Sequence, residues 1–392
     1  MKRYLVTDYG VIPSSPELQS DKLRAVLDLC GREGGGTVVL PRGRYRVAGL
    51  YLPSNTTLYL ESGAELYGSD DCRDYPVLPI PEGVEMRSDM EMIPGYFDYY
   101  KCWPNRDIYR RAILSSYGER NIAVIGEPGA VIDGVNCYDP EGEEGYRGPH
   151  AIFFSDCENI RLEGYTVRNS GNFMHETNNC RHLVMRRVTC LGGSDGLHLH
   201  CTEDALLEDC LMKTGDDCVA GINVRDLVIR RCVLNTACNL LRIGGIGILL
   251  EDCYAYGPGY YPHRQTVVKR GGKELPRTEG RHNTLSLIEY FASTAYPFPP
   301  SDITLRRCVI EDLDTLLSYR ADSGLLHSGT RLASLTLEDV TLRGLGRPSS
   351  PRGAADMPLS IRMRNVVAEL ADGTRVSPFL LGEDEHVEIT EE

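Results

Sequence analysis

One short pattern repeats along the chain from about residue 160: two apolar residues at alternating positions, a polar pair, then another apolar residue. It recurs in NIRLEGYTV, HLVMRRVTC, DALLEDCLM, DLVIRRCVL, GILLEDCYA, DITLRRCVI and SLTLEDVTL. The alternating pairs are Ile160/Leu162, Leu183/Met185, Ala205/Leu207, Leu227/Ile229, Ile248/Leu250, Ile303/Leu305 and Leu335/Leu337. Alternation predicts strands buried on one face. Successive starts lie 23, 22, 22, 21, 55 and 32 residues apart, which predicts four regular solenoid turns and then two with insertions. Five residues after each start stand Tyr165, Val188, Cys210, Cys232, Cys253, Cys308 and Val340, a column of similar residues expected of coils stacked in register.

Ahead of this repeat the pattern changes. Leu23, Val26, Leu27 and Cys30 share a helical face, with Ser20 as the expected cap and Gly31 as the expected end. Such a helix would cover the open end of a solenoid, within a cap of about residues 1–35. TVVL, YRVAGLYL, TLYL, NIAVIG and AVIDG read as the first coils. Residues from about 70 to 111 and from about 254 to 298 break the period, the first being rich in aromatics (Tyr96, Phe97, Tyr99, Tyr100, Trp103, Tyr109). Insertions on one side of a solenoid often build its binding face, against the alternative of a subunit contact or a cover for the core. From about 346 to 392 no repeat is clear, although LSIRMRNVVAEL fits a last coil or hairpin and the acidic end EDEHVEITEE is expected to be solvated. The whole of 1–392 reads as one domain, because stacked repeats lengthen a core without thickening it.

Composition narrows the partners. A net charge of −14 disfavours nucleic acid and anionic membranes, both of which need a basic surface, but leaves room for an acidic sugar in a small basic pocket. The opening MKRYLVTDYGVIPSS lacks the apolar core of a signal peptide, so a cytoplasmic location is the expectation. The 14 cysteines are then expected as thiols, and the column above makes them a ladder of small hydrophobes instead of metal ligands, CxxC spacing being absent. Oligomeric state is left open, a homo-oligomer included.

Candidate chemistry lies in GGSDGLHLHC and KTGDDCVAG. Asp195 precedes Asp216 by 21 residues, one period, so the two are expected nearly one above the other, about 4.8 Å apart. Asp217 adds a third acid. Taking Leu197/Leu199, Cys218/Ala220 and Leu241/Ile243 as inward places His198, Val219 and Arg242 in one outward column and His200, Gly221 and Gly244 in the next. Crowded carboxyls split into a protonated acid and an ionised base, the division that glycoside hydrolysis requires. The competing reading is that each Asp merely caps a turn.

At these residues the sequence resembles glycoside hydrolase family 28, the polygalacturonases and their relatives. The likeness runs from DYG near residue 8 through GGGTVVLPRGRYRVAGLYLPSNTTLYLESGAELYGS, NIAVIGEPGAVIDG and RNSGNFMHETNNC to SDG and GDDCVA. It implies an all-β fold, a single-stranded right-handed parallel β-helix (solenoid) with the N-terminal capping helix. It further implies inverting hydrolysis of galacturonosyl or related bonds, with Asp216 as general acid, Asp195 and Asp217 preparing the water, and neither metal nor organic cofactor. Inversion calls for acid and base roughly 6.5 to 9.5 Å apart. The chain departs from the family at three places. Gly193 and Ser194 stand where Asn-Thr precedes the first acid, and Cys238, Asn239 and Leu240 stand where Gly-His-Gly is usual. Arg-Ile-Lys is not intact, leaving Arg242 and Arg320 as substitutes for gripping a substrate carboxylate, with His263, Arg264, Lys269 and Arg270 in the insertion. Asn239, His198, His200 and His175 complete the expected substrate-binding set.

The leading expectation is an exo-acting glycosidase for galacturonic-acid-containing (pectic) oligosaccharides, a neutral sugar being second. A β-helix lyase or epimerase, which often needs Ca²⁺ and an Arg or Lys base, and a non-catalytic carbohydrate-binding solenoid are the alternatives.

Overall fold

The computed structural model describes residues 2–84, 106–263, 267–270, 273–276, 280–292, 299–321, 329–382 and 385–391. Alternating apolar residues give each coil short strands whose inward side chains meet those of the coils above and below. Among the described residues, 29 strands join into one continuous sheet wound as a right-handed parallel β-helix. Each regular coil contributes to three faces. The first is built by strands such as His150–Ser155, His175–Asn178, Leu197–His200 and the start of Val219–Arg230. The second holds the repeat recognised in the sequence, with Ile160, Leu183, Ala205, Leu227, Ile248, Ile303 and Leu335 in successive register. The third runs through Thr189–Gly192, Leu211–Thr214 and Val233–Thr236.

The corner between the second and third faces explains the polar pair. Arg187, Asp209, Arg231, Asp252, Arg307 and Asp339 have φ between 50° and 55°, so the chain turns there through the left-handed region. Their side chains stack outside as ion pairs such as Arg231–Asp209 and Arg307–Asp252. The next residue turns inward. Cys210, Cys232, Cys253 and Cys308 form the expected buried ladder, and all 13 cysteines among the described residues are free thiols. Cys102 lies outside them.

The helix Ser20–Arg32 buries Leu23, Val26, Leu27 and Cys30 over the first coils, as expected. Its ends differ from expectation. Ser20 lies inside the helix and accepts a hydrogen bond from the Ala48 amide (2.8 Å) instead of capping. Gly31 is also helical, and the chain leaves the helix through Gly34, at φ 88°.

Three further expectations change. Within the segment 254–298, Thr284–Tyr290 is a regular strand of the first face, paired in parallel with Asn239–Glu251, so only part of this segment is an insertion. Leu359–Leu370 stacks in parallel on Leu332–Leu345 as a further coil, and Val387–Glu391 adds one more parallel strand, so the C-terminal end is more regular than its sequence. That last strand is largely exposed and carries Glu388 and Glu391, charges that discourage edge pairing. Of the first insertion, Tyr96, Phe97, Tyr99, Tyr100 and Trp103 lie outside the described residues, as does Arg264 of the second.

Candidate active site

The site lies on the outer side of the first face, where the chain reaches GGSDG and TGDDC. Register decides which acids meet. Leu197 pairs with Val219 and Val219 with Leu241, and all three are buried in the core. Val219 and Gly221 therefore belong to the inward columns, and the outward column runs Glu176, His198, Ala220, Arg242, Glu289. The coil at this point is 22 residues long (Leu197 to Val219), one more than the spacing of Asp195 and Asp216. Hence Asp217, not Asp216, lies beneath Asp195. The Gly196 amide donates to the Asp217 carbonyl (3.0 Å) and the Cys218 amide to that of Asn239 (3.2 Å), which continues the column to Asn239.

The three carboxylates are nearly buried, and each brings one oxygen within 4.8 Å of the others. They form the floor of a cavity of about 750 Å³. Asp217 Oδ1 accepts from the backbone and side-chain nitrogens of Asn239 (3.1 and 2.9 Å), and Asn239 Oδ1 accepts from Ser286 (2.9 Å). Burial, followed by the charges of Asp216 and Asp195, pushes the Asp217 carboxyl up to about 7, while Arg242 and the Asn239 hydrogen bond pull the other way. Arg242 lies over the Phe291 ring, 4.0 Å from its centroid. Arg242, Arg320 and Asn239 all line the cavity.

Asp216 has a different surrounding. Arg147 Nη2 donates to its Oδ2 (3.0 Å), and His263 Nε2 lies 3.5 Å from its Oδ1. Arg147 is 4% exposed, donates also to Asn172 (3.2 Å) and stacks on Phe173. It hangs from the loop between Val131–Asp133 and His150–Ser155, closed by an antiparallel bridge of Tyr138 with Arg147. Sequence reasoning missed Arg147, since no period marks this loop and Arg147 stands 69 residues before its partner. Arg281 was missed likewise. It donates to the Ala237 carbonyl and to Cys238 Sγ (3.4 Å), and it lines the cavity beside Leu285. The Cys238 thiol stays protonated, pushed up by burial and then by the charges of Asp217 and Asp216.

The histidines require correction. His175 faces inward, because its neighbour Glu176 pairs with His198 and the next residue inward is Leu197. It is fully buried, donating to the Gly196 carbonyl (2.9 Å) and accepting from the Tyr165 hydroxyl (2.9 Å), and burial holds its imidazole down near 4. His198 and His200 face outward as expected, yet both are 0% exposed and neither lines the cavity. The end of the first insertion covers this part of the face, with Tyr109 packed on His150 and Phe153. His198 still reaches the acids, its Nδ1 lying 2.9 Å from Asp195 Oδ2.

Comparison with known proteins shows what this chain is similar to. The model of glycosyl hydrolases family 28 matches residues 110–243, a stretch that contains all three aspartates and Asn239. A probable polygalacturonase of Vitis vinifera is 24% identical over 268 residues, covering 58% of this chain and 48% of the relative. An exo-poly-alpha-D-galacturonosidase of Dickeya chrysanthemi is 21% identical over 247 residues, 55% of this chain and 41% of the relative. The chain thus spans about half the length of the curated relatives it matches. The solved family 28 exopolygalacturonase of Yersinia enterocolitica shares the fold with a TM-score of 0.67 at 17% identity, over 93% of this chain and 71% of that one. With the aspartates retained and the flanking motifs replaced, the stretch 110–243 is similar to glycosyl hydrolases family 28, and the fold is the one its solved exopolygalacturonases share.

Proposed function

We propose that this protein hydrolyses the terminal glycosidic bond of galacturonic-acid-containing or related oligosaccharides. The observation that carries the reading is the floor of three buried carboxylates, one of them holding its proton near neutrality, beneath a cavity walled by Arg147, Arg242, Arg281, Arg320 and Arg347. A carboxyl near 7 can give a proton to a leaving oxygen, and a neighbour that stays ionised can activate water. Arginines around an otherwise acidic protein suit a uronate, whose carboxylate they can grip in a bidentate fashion.

The family resemblance makes Asp216 the acid, with Asp195 and Asp217 preparing the water. Asp216 is paired with Arg147, and it is Asp217 that is pushed toward protonation, which supports Asp217 as the holder of the acid proton. Exo action is supported by the blocked N-terminal side of the groove. There the outward residues His150, Phe153, Glu176 and His198 are buried, and Arg147 and Phe173 close over the acids. Substrate then enters from the side of Thr315, Ser318 and Arg320. An inverting course rests on the resemblance alone, since the acid oxygens lie closer together than the separation inversion ordinarily uses.

The test is product analysis on oligogalacturonides, rhamnogalacturonan fragments and neutral aryl glycosides, with and without chelator. Chelator-insensitive release of one terminal sugar at a time, lost in Asp216→Asn and Asp217→Asn, is the expected result, and proton NMR of the first product reads its anomeric form. An unsaturated product that requires Ca²⁺ would replace hydrolysis by elimination. No release from any sugar would leave a binding solenoid.

A further inference from the structure

Behind the acids lies a buried polar chain that the hydrolytic mechanism does not use. Glu176 is 0% exposed, yet its carboxylate is surrounded by donors. The Tyr109 hydroxyl donates to Oε2 (2.6 Å) and Asn178 Nδ2 to Oε1 (3.0 Å). His200 Nδ1 lies 3.4 Å from Oε1, and His150 Nε2 lies 3.6 Å from Oε2. His200 donates through the same Nδ1 to Asn178 Oδ1 (3.0 Å) and packs on His198, with ring centroids 4.5 Å apart and planes tilted by 47°. His198 is held on its other side by Phe173, at 4.3 Å, and brings Nδ1 to 2.9 Å from Asp195 Oδ2. Two carboxylates thus enclose two packed imidazoles, in the order Glu176, His200, His198, Asp195.

We propose that His198 is a positioning residue for Asp195, and that Glu176 keeps a proton on the packed imidazoles of His200 and His198 so that Asp195 meets the substrate as a fixed anion. This rests on the hydrolytic reading above. The physical argument is charge balance. An ionised carboxylate taken wholly out of water needs a compensating charge. Glu176 is held ionised, down to about 2, against its burial by the hydrogen bond from His200 and the charges of His150, His200 and His198. His150 contributes its charge only in acid, since burial holds it down near 4, and supplies none near neutrality. The compensating proton therefore falls to His200 and His198. A cation beside Asp195 favours its ionised form and fixes the orientation of its oxygens. The charged and titratable groups facing His198 are Asp195, Glu176, His150, His200 and, across Phe173, Arg147. The arrangement also accounts for Asn239, because the imidazole missing from the family's usual position is supplied from the neighbouring coil.

Two measurements test this. The first is the nitrogen-15 spectrum of histidine-labelled wild-type protein at pH 8, above the ordinary histidine pKa. At least one imidazolium is expected to persist, and to vanish in Glu176→Gln. Wholly neutral histidines would overturn the proposal, even if no variant folds and no sugar is cleaved. The second is the pH profile of His198→Gln on the best substrate found. Removing the cation raises the Asp195 pKa, so the acidic limb of kcat/KM is expected to move up by about 1 pH unit, with kcat lowered and KM little changed. An unmoved acidic limb, with loss explained by lower thermal stability, would reduce His198 to a packing residue. If the wild type releases no sugar, the hydrolytic reading fails while the spectrum still reports whether the chain is charged.

Discussion

Asp217 stands directly below Asp195, one coil on, while Asp216 turns toward Arg147. Stacking two buried carboxyls in one column makes their charges compete, and the lower one carries the cost. The folded Asp217 carboxyl, pushed up to about 7, lies above its ordinary value of 3.8. A carboxyl raised in this way adds nothing unfavourable while it is protonated in both folded and unfolded chains, at low pH. It costs stability as pH rises from about 4 through about 7, because the folded chain then binds a proton the unfolded chain has released. Asp217→Asn removes that cost. Its denaturation midpoint relative to wild type is expected to rise between pH 5 and pH 8 by the equivalent of roughly a few kcal/mol, while activity falls. An unchanged difference between the two pH values would mean that Asp217 is not the acid that holds the proton.

Arg147 pairs with Asp216 from a loop that is also tied to the coils through Glu143 to Asn172 and through Asp139 to Arg111. Arg147→Met keeps the stacking on Phe173 but leaves a nearly buried carboxylate without its guanidinium. Truncating one partner of a buried pair costs about 3–5 kcal/mol, and part of that is relieved here if Asp216 takes up a proton. The variant is therefore expected to be clearly less stable at pH 8 than at pH 4, to lose activity by about 100-fold or more, and to regain part of it as Arg147→Lys. Chemical denaturation at the two pH values together with initial rates checks this.

Much of the fold is legible because the second face repeats a strict pattern, and a one-residue slip there would turn Ile160, Leu183 and Ala205 out of the core. The first face is less legible. Its strands are short, as in Leu197–His200, and the turns before them are equal in length but carry their first acid one position apart, so aligning Asp195 with Asp216 gives the inward reading of Cys218/Ala220 in place of Val219/Gly221 and shifts a column. The three acids were visible in the sequence, but their pairing was not. Arg147 and Arg281 left no sequence signal, because a loop residue recruited across 69 or 44 positions obeys no period. His175 misled for a related reason, since it is a polar residue in an inward column and only its partners Tyr165 and Gly196 make that burial tolerable.

The cysteine ladder gives a test of packing against metal binding. Cys232 sits between Cys210 and Cys253 with its thiol donating to the carbonyls of Leu207 and Arg230 (3.7 and 3.3 Å). Such sulfur contacts are weak, and the position asks mainly for a small apolar volume, as Val188 and Val340 show in the same column. Cys232→Val is expected to stay within about 1.5 kcal/mol of wild type by denaturant titration, and a chelator is expected to leave both midpoints unchanged. A loss of several kcal/mol, or a chelator effect abolished by the substitution, would give the ladder a role beyond packing.

Arg242 and Arg320 line one cavity but should separate in kinetics. Arg320 is exposed and lines the cavity next to Ser318 and Tyr319, where, under the proposed function, a uronate carboxylate would arrive. Arg320→Gln removes a charged hydrogen bond worth about 1.5–3 kcal/mol, so KM for an oligogalacturonide is expected to rise about 10-fold or more, with kcat retained and neutral aryl glycosides unaffected. Arg242 lies deeper, and its charge pulls the Asp217 carboxyl down against burial and the other two aspartates. Arg242→Gln therefore raises that carboxyl further. If Asp217 supplies the acid proton, the basic limb of the pH profile moves to higher pH, because the acid stays protonated longer. The acidic limb, set by the ionisation of the base, should move far less. A basic limb that stays in place in Arg242→Gln but shifts in a substitution at Asp216 would return the acid role to Asp216, as the family resemblance has it, and would make the Arg147 pairing a resting state that substrate displaces.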